Sequence, residues 1–362
     1  MLIELERRPE RSRAMVVLSP LIAIGLTVLT AAAALAIIGV PPLHGLAVLF
    51  VDPLTSGWSL QELGVKATPL VMIAIGLSVC FIANTWNIGA EGQYIAGAIL
   101  GGWFALAFHT TGEWWVLPMM LLLGAVGGML YALVPAVLRV VFGANEILTS
   151  LMLVYVAQLG LDWLVRGPWR DPHGYNFPQS VTFEHAATMP LLFAGGRLHA
   201  GAIIALVVVG LAVVFLGTTL RGFELKVVGI APRAGRFAGF DDRKDILLAF
   251  AVSGALAGLA GIIEVAGPIG QLLPVISPGY GFAAIIVAFL GRLNPIGILL
   301  AGLVLALSYL GGEAAQIEIR VPLDLADVLQ GVLLFFVLAC DTLILYRVRF
   351  FRVGRRAVRH AL

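Results

Sequence analysis

The chain has 362 residues, of which 60% are hydrophobic and only 12% charged, and its mean hydropathy is +0.99. Soluble domains carry about 25% charged residues, so this composition excludes an ordinary soluble enzyme, a disordered linker protein and a nucleic-acid-binding protein. The net charge of +2 indicates no polyanionic partner. The sequence therefore predicts an all-α polytopic protein of the lipid bilayer.

Long stretches with little or no charge recur along the chain. A bilayer crossing needs about 20 mostly apolar residues, and the first stretch is too long for a cleaved signal sequence. Three prolines, Pro268, Pro274 and Pro278, interrupt one stretch, so we expect it to cross as a single discontinuous element with a half-helix at 282–290. The sequence thus predicts about ten transmembrane elements: 14–40, two within 67–112, 114–138, 147–164, 198–220, 246–266, 265–291, 293–312 and 328–346.

Arginine and lysine are concentrated in three places: an N-terminal arm (1–13), the loop 219–245 and a basic tail (346–362). The loop 166–197 carries only three basic residues. Because short cytoplasmic loops are enriched in Lys and Arg, we predict that both termini and the loop 219–245 are cytoplasmic. The loop 166–197 is then extracytoplasmic, and 14–345 forms the transmembrane domain.

Polar, glycine-rich sequence interrupts the apolar helices at 83–94 and again at 277–282. Such breaks persist within a membrane around a cavity, and their similar form in two halves of opposite orientation suggests inverted repeats with a binding site at their interface. Amides and aromatic rings suit a polar, ring-containing solute. The other interpretation is structural: the amides bond between helices, and Glu91 caps the unwound segment. The candidate pathway residues here are Asn84, Trp86, Asn87, Glu91, Gln93 and Tyr94.

A third polar cluster opens the element at 147–164. Asn145 is suited to cap that helix, and Glu146 lies in its first turn near the positive end of the helix dipole. The alternative is that Asn145 and Glu146 line or gate the pathway.

Motifs for catalysis or ATP hydrolysis are missing from the sequence. Lys66, Lys226 and Lys244 are the only lysines, and none follows a glycine as in a phosphate-binding loop. Neither a metal-ligand cluster nor a catalytic pairing is present, so we expect no enzyme activity, catalytic residue, metal or cofactor in this chain. Glu91 is the one strong intramembrane carboxylate, which leaves an ion-coupled carrier as an alternative with little support.

The loop 219–245 contains a pattern for a short helix. Pro232 is placed at its first position and Gly239 just beyond its end. A helix between them would carry Ala234 and Phe237 on one face and Arg233 and Arg236 on the other, a form suited to docking in a partner's groove. The alternative is a solvated basic loop that only fixes the orientation.

Several motifs together resemble the permease subunits of bacterial ABC importers, in the ribose and branched-chain amino acid permease superfamily and most closely its nucleoside and simple-sugar branch. The resemblance covers roughly 65–345 and departs from the family at Ala231, usually Asn, and Gly235, usually Ala. The motifs are Asn-Ile-Gly-Ala-Glu-Gly-Gln at 87–93, Asn-Glu-Ile-Leu-Thr-Ser at 145–150, the glycines of 229–239, the small residues of 253–261, and Pro-Gly-Tyr-Gly-Phe at 278–282 with Gly-Arg-Leu-Asn-Pro at 291–295.

The resemblance implies a multi-pass subunit of the bacterial inner membrane that imports a solute, most closely a nucleoside. A simple sugar, a branched-chain amino acid or a flavin-like solute is the alternative. The implied partners are two cytoplasmic ABC ATPase domains, a second permease subunit (a shorter paralogue or a second copy) and an external substrate-binding lipoprotein. The residues implied in coupling to the ATPase are Lys226, Gly229, Arg233, Ala234, Arg236, Phe237 and Gly239.

Overall fold

A computed structural model describes residues 2–7, 13–193, 195–322 and 324–351. The predicted arm and tail therefore fall in part outside the described residues, at 1, 8–12 and 352–362. The described helices, in chain order, are α1 (Arg13–Ile38), α2 (Pro42–Phe50), α3 (Gly57–Ile82), α4 (Ala90–Ala107), α5 (Val116–Phe142), α6 (Glu146–Arg166), α7 (Gly201–Thr218), α8 (Leu220–Ile230), α9 (Pro232–Phe237), α10 (Asp242–Glu264), α11 (Tyr280–Leu290), α12 (Pro295–Glu318) and α13 (Asp324–Leu345).

The prediction of a helical membrane protein is confirmed. Each of the ten predicted elements corresponds to a helix, and in the described part of the chain seven helices are long and apolar enough to cross a membrane: α1, α3, α5, α6, α7, α10 and α12. The other three are α4, whose first turn carries Glu91 and Gln93, the short α11, and α13. The sequence did not predict β1 (Leu2–Arg7) and β2 (Tyr346–Phe351), which pair antiparallel.

The chain divides into two compact units, residues 1–49 with 312–362, and residues 50–311. In the first unit, α1 packs against α13. In the second, α4, α5 and α10 pack together, and α3 packs against α10 and α11. Small residues permit this close approach: a Cβ added to Gly258 of α10 would lie 2.7 Å from the Cα of Gly128 in α5. Since lipid offers no hydrophobic drive between helices, such close backbone packing is what holds the unit together.

The predicted discontinuous element is present. After α10, a π-helical turn (Val265–Ile269) leads into an irregular stretch, and α11 starts at Tyr280, two residues before the predicted start of the half-helix. The Ser277 hydroxyl accepts the N–H groups of Gly279 and Tyr280 at 3.0 and 2.9 Å. This serine therefore satisfies backbone donors where the chain re-enters helix.

The long loop between α6 and α7 is fastened to this irregular stretch by its backbone. The N–H groups of Ser180, Phe183 and Met189 donate to the carbonyl oxygens of Leu272, Gly270 and Ala266, at 3.0, 2.8 and 2.8 Å. The Ser180 hydroxyl in turn accepts the N–H of Leu272 at 2.8 Å. Four hydrogen bonds therefore hold the α6–α7 loop to the irregular stretch that follows α10.

Candidate functional site

An unwound segment, residues 83–89, joins α3 to α4. Asn84 adopts a left-handed conformation with φ of 55°, and its side chain is exposed. Trp86 is 39% exposed, and its ring lies 5.3 Å from that of Phe81 and 6.1 Å from that of Phe289. The amide of Asn84 and the ring of Trp86 are therefore accessible at the surface of the segment, whereas Asn87, which follows them, is buried.

Asn87 and Gln93 are fully buried and bind each other. Asn87 Nδ2 donates to Gln93 Oε1 at 2.9 Å, and Gln93 Nε2 donates to Asn87 Oδ1 at 2.8 Å. Asn87 Nδ2 also donates to Ser253 Oγ at 3.0 Å, and Asn87 Oδ1 accepts the N–H of Gly89 at 3.2 Å. Both amide groups are thereby largely satisfied within the protein, which fixes the unwound segment to α4 and α10.

Glu91, also buried, joins the two breaks. Its Oε2 accepts the N–H of Gly281 at 2.6 Å, and its carboxylate bonds the Ser277 hydroxyl. A Cβ on Gly281 would overlap the backbone of Glu91, so glycine lets the first turn of α4 rest on the start of α11. Tyr94 is buried beside this contact and donates from its hydroxyl to the carbonyl of Ile276 at 3.4 Å.

The cluster before α6 reaches the same segment. Asn145 Oδ1 accepts the N–H groups of Ile147 and Leu148 at 2.9 and 3.3 Å, so the predicted helix cap is confirmed. Glu146 forms an ion pair with Arg139 of α5, and its Oε1 accepts the N–H of Trp86 at 3.4 Å. Glu146 thus ties α5, α6 and the unwound segment together at one point.

The predicted short helix in the loop 219–245 is confirmed as α9. Pro232 is its first residue, and Gly239 follows its cap with φ of 86°, a left-handed conformation that favours glycine. Phe237 is 94% exposed, and Arg233 and Ala234 are exposed as well. The helix therefore presents one large apolar ring and a cationic side chain on an open surface.

The preceding helix, α8, was not predicted. It begins with the Thr219 hydroxyl accepting the N–H of Gly222 at 3.0 Å, a cap that the sequence does offer as a signal. A Cβ on Gly229 would overlap the carbonyl oxygen of Ile82, so α8 lies directly on the end of α3, one residue before the unwound segment. Lys226 donates to the carbonyl of Leu216 and holds α8 against the end of α7.

An ion pair and a helix cap stabilise the junction between α9 and α10. Arg236 Nε lies 2.7 Å from Asp242 Oδ2. Asp241 caps α10 by accepting the N–H of Arg243 at 3.0 Å, and this bond holds the pKa of the exposed Asp241 carboxyl below its usual range. A cleft of about 860 Å³ lies here, between the α8–α9 hairpin and Asn84 of the unwound segment. Candidate pathway and candidate coupling residues therefore border one cavity.

Comparison with known proteins identifies the family. Residues 59–338 match the family described as branched-chain amino acid transport system / permease component. The chain belongs to this permease family. Residues 59–338 include α4–α12 and all but the first two residues of α3, and hence both breaks and the α8–α9 hairpin. It is a multi-pass permease component of a membrane transport system.

Three relatives are similar to the permease over most of their length. The glucose ABC transporter permease protein TsgB13 of Haloferax volcanii is 37% identical over 96% of this chain and 94% of its own. The nucleoside ABC transporter permease protein NupB of Lactococcus lactis is 31% identical, over 89% and 90%. The guanosine ABC transporter permease protein NupP of Bacillus subtilis is 28% identical, over 75% and 78%. No solved structure matches the permease.

The structure separates the six pathway residues predicted within 83–94 into two groups. Asn84 and Trp86 are exposed, whereas Asn87, Glu91, Gln93 and Tyr94 are buried and hydrogen-bonded. The sequence placed Ser253 and Gly281 within family motifs but assigned them no contact, and the structure shows that they bind Asn87 and Glu91. Reasoning from sequence missed Arg139, the partner of Glu146, although it lies only seven residues before Glu146.

Proposed function

We propose that the permease is the transmembrane subunit of an ATP-driven ABC importer, with both termini and the loop 219–245 in the cytoplasm. Two cytoplasmic ABC ATPase domains, a second permease subunit and an external substrate-binding lipoprotein complete the transporter. Family membership and three relatives named as ABC transporter permeases support this proposal. The observation that carries it is the α8–α9 hairpin: it exposes Phe237 and Ile230 by 94% and 86% while seating Gly229 on the end of α3.

The coupling follows from those contacts. A displacement of α9 by the ATPase would move α8 against the Ile82 carbonyl at the start of the unwound segment. The two helices move together there because Gly229 is in direct contact with that carbonyl. The unwound segment continues into α4, where Glu91 accepts the N–H of Gly281 and so connects the segment to α11. ATP binding can shift such a device only if the ATPase contacts the hairpin differently in the inward-open and outward-open states.

The solute we propose is a nucleoside. Two relatives are named for nucleosides or guanosine, and the exposed Trp86 ring, backed by Phe81 and Phe289, suits stacking on a planar base. Asn84, exposed two residues earlier, offers both a donor and an acceptor. A simple sugar is the second candidate, because the glucose permease relative is 37% identical and a sugar ring also packs on an aromatic face. Asn87, Gln93 and Glu91 have the positioning role in this proposal, and Asn84 and Trp86 the solute contacts.

The test is an uptake panel in cells that express the complete transporter: guanosine, adenosine, uridine, glucose, leucine and riboflavin. We expect nucleoside uptake, and Trp86→Ala should raise the half-saturating concentration about tenfold, because base stacking on an aromatic side chain contributes about 1–3 kcal/mol. Trp86→Phe should keep most of the affinity. The matched control is Trp103→Ala, because Trp103 is also exposed but lies in α4, away from the unwound segment. Glucose uptake without nucleoside uptake would favour the second candidate, and an unchanged Trp86→Ala variant would remove the ring from the solute site.

A further inference from the structure

The helix α6 exposes two polar side chains near the middle of its length. It is one of the helices long and apolar enough to cross a membrane, and Tyr155 and Gln158 are the tenth and thirteenth of its 21 residues. Tyr155 is 56% exposed, and Gln158 is exposed as well. Because residues three positions apart are neighbours on a helix surface, the two side chains form one polar patch close to mid-depth in the bilayer.

Nothing in the part of the chain that the structure describes satisfies this patch. Neither the Tyr155 hydroxyl nor the Gln158 amide has a hydrogen-bond partner among those residues. Asp162, one turn farther along, differs because it pairs with Arg166 at 2.6 Å. Lipid tails offer no hydrogen-bond partner at this depth, and exposed tyrosine is typical of the membrane surface rather than of the bilayer centre. A lipid-covered α6 would therefore leave both polar groups without a partner.

The helix α7 has the chemistry expected of a helix surrounded by lipid. It exposes Leu206 and Leu211 in its middle part. Before its last residue, α7 carries no amide side chain, hydroxyl or charge, and the hydroxyl of that residue, Thr218, donates to the carbonyl oxygen of Val214 at 2.8 Å. Since α6 and α7 are both largely exposed but differ in polarity, we infer that they have different neighbours in the membrane.

Apolar side chains surround the polar patch and complete a continuous face. Met152, Val156 and Leu159 are each more than half exposed. The opposite side of α6 is buried against α4, where a Cβ on Gly92 would lie 3.0 Å from the Cα of Val154. The name α6 face is used below for Met152, Tyr155, Val156, Gln158 and Leu159. A mainly apolar surface with a few polar side chains is typical of contacts between membrane helices, in which those side chains form hydrogen bonds across the contact.

We propose that the α6 face is the surface on which the second permease subunit packs. This inference rests on the proposed transporter, in which the ATPase domains and the binding lipoprotein lie outside the bilayer and only the second permease reaches mid-depth. A membrane helix of that subunit supplies a hydrogen-bonding side chain to Tyr155 and Gln158. The contact also adjoins the solute site, because Glu146 in the first turn of α6 accepts the N–H of Trp86. The second subunit therefore borders the pathway.

Site-specific photo-crosslinking in the assembled transporter tests this assignment. Benzoylphenylalanine in place of Leu159 should crosslink to the second permease subunit, which mass spectrometry would identify. Benzoylphenylalanine in place of Leu211, an exposed leucine in the middle part of α7, is the matched control and should crosslink to lipid. Crosslinks from Leu159 to lipid alone, or equal crosslinking to the second subunit from both sites, would overturn the proposal.

Removing the amide gives a second test. Gln158→Leu should increase the loss of the second subunit from the purified transporter about threefold, the average effect of one hydrogen bond between membrane helices. Gln316→Leu, which removes an exposed amide near the end of α12, should leave subunit retention unchanged. Unchanged or improved retention in Gln158→Leu is expected of a lipid-covered side chain and would contradict the proposal.

Two other outcomes are distinguished by the same measurements. A shift in the half-saturating solute concentration of Gln158→Leu, with full subunit retention, would place Gln158 in the pathway and overturn its role in subunit contact. A transporter that is active without any second permease would contradict the proposed function itself. A Leu159 crosslink that is missing from an intact complex overturns the α6 face alone, so the two proposals fail separately.

Discussion

We expect the Glu91→Ala variant to transport solute roughly ten to a hundred times more slowly than the wild-type protein. The Glu91 carboxylate accepts the N–H of Gly281 at 2.6 Å inside the protein, and these residues lie 190 positions apart in the chain. A buried donor that loses a charged acceptor costs about 1.5–3 kcal/mol, and no water in the bilayer core replaces the acceptor. The first turn of α4 would then no longer hold the start of α11. Uptake, normalised to the amount of protein in the membrane, measures the effect.

The Glu91→Gln variant distinguishes the role of the hydrogen bond from Gly281 from the role of the negative charge. Glu91→Gln keeps a carbonyl oxygen for the Gly281 N–H, so we expect it to retain a substantial part of the uptake. Glu113→Ala, at an exposed carboxylate in the α4–α5 loop, is the control for loss of a glutamate. If Glu91→Gln is folded yet as inactive as Glu91→Ala, the negative charge itself is required and the positioning role is wrong.

The second large effect is expected at α9. Reversing Arg233 and Arg236 to glutamate should abolish transport and leave insertion into the membrane intact, because both charges are exposed on α9, the helix proposed to dock on the ATPase. The measurements are solute uptake and the amount of ATPase subunit that co-purifies with the tagged permease. Unaltered uptake by the double variant would contradict the docking assignment.

Two further variants make this result specific. Arg236 pairs with Asp242, so its reversal also disturbs the junction of α9 and α10. Arg233→Glu alone is free of that effect, since Arg233 has no ion pair among the described residues, and it should still weaken ATPase binding. The control variant is Arg166→Glu with Arg170→Glu, at the last residue of α6 and in the loop that follows it. It reverses two charges outside the loop 219–245 and so reports the effect of charge reversal alone on insertion.

Local signals in the sequence were sufficient for much of the fold. Apolar length indicates the ten elements, the pair Pro232 and Gly239 bounds α9, and Asn145 is a helix cap both in prediction and in structure. These features depend on residues close together in the chain, where backbone preferences and capping chemistry decide the outcome. The start of α11 is misplaced by only two residues for the same reason.

Contacts between distant residues could not be predicted in this way. The sequence shows two amides, Asn87 and Gln93, but not that they satisfy each other and Ser253, which is 166 positions away. Likewise, nothing local indicates that Gly229 must lack a side chain because the Ile82 carbonyl occupies that space. The strand pair β1–β2 joins residues more than 330 positions apart and has no local signal either.

In the proposed transporter, ATP hydrolysis by a docked partner drives solute through this permease. The most direct test of this coupling is nucleoside uptake into proteoliposomes that contain the permease, its partner permease, the ATPase subunits and the external binding protein. We predict uptake that requires ATP and the ATPase subunits and persists when an uncoupler removes the proton gradient. Uptake by the permease without any ATPase, abolished by the uncoupler, would show instead that the protein is an ion-coupled carrier.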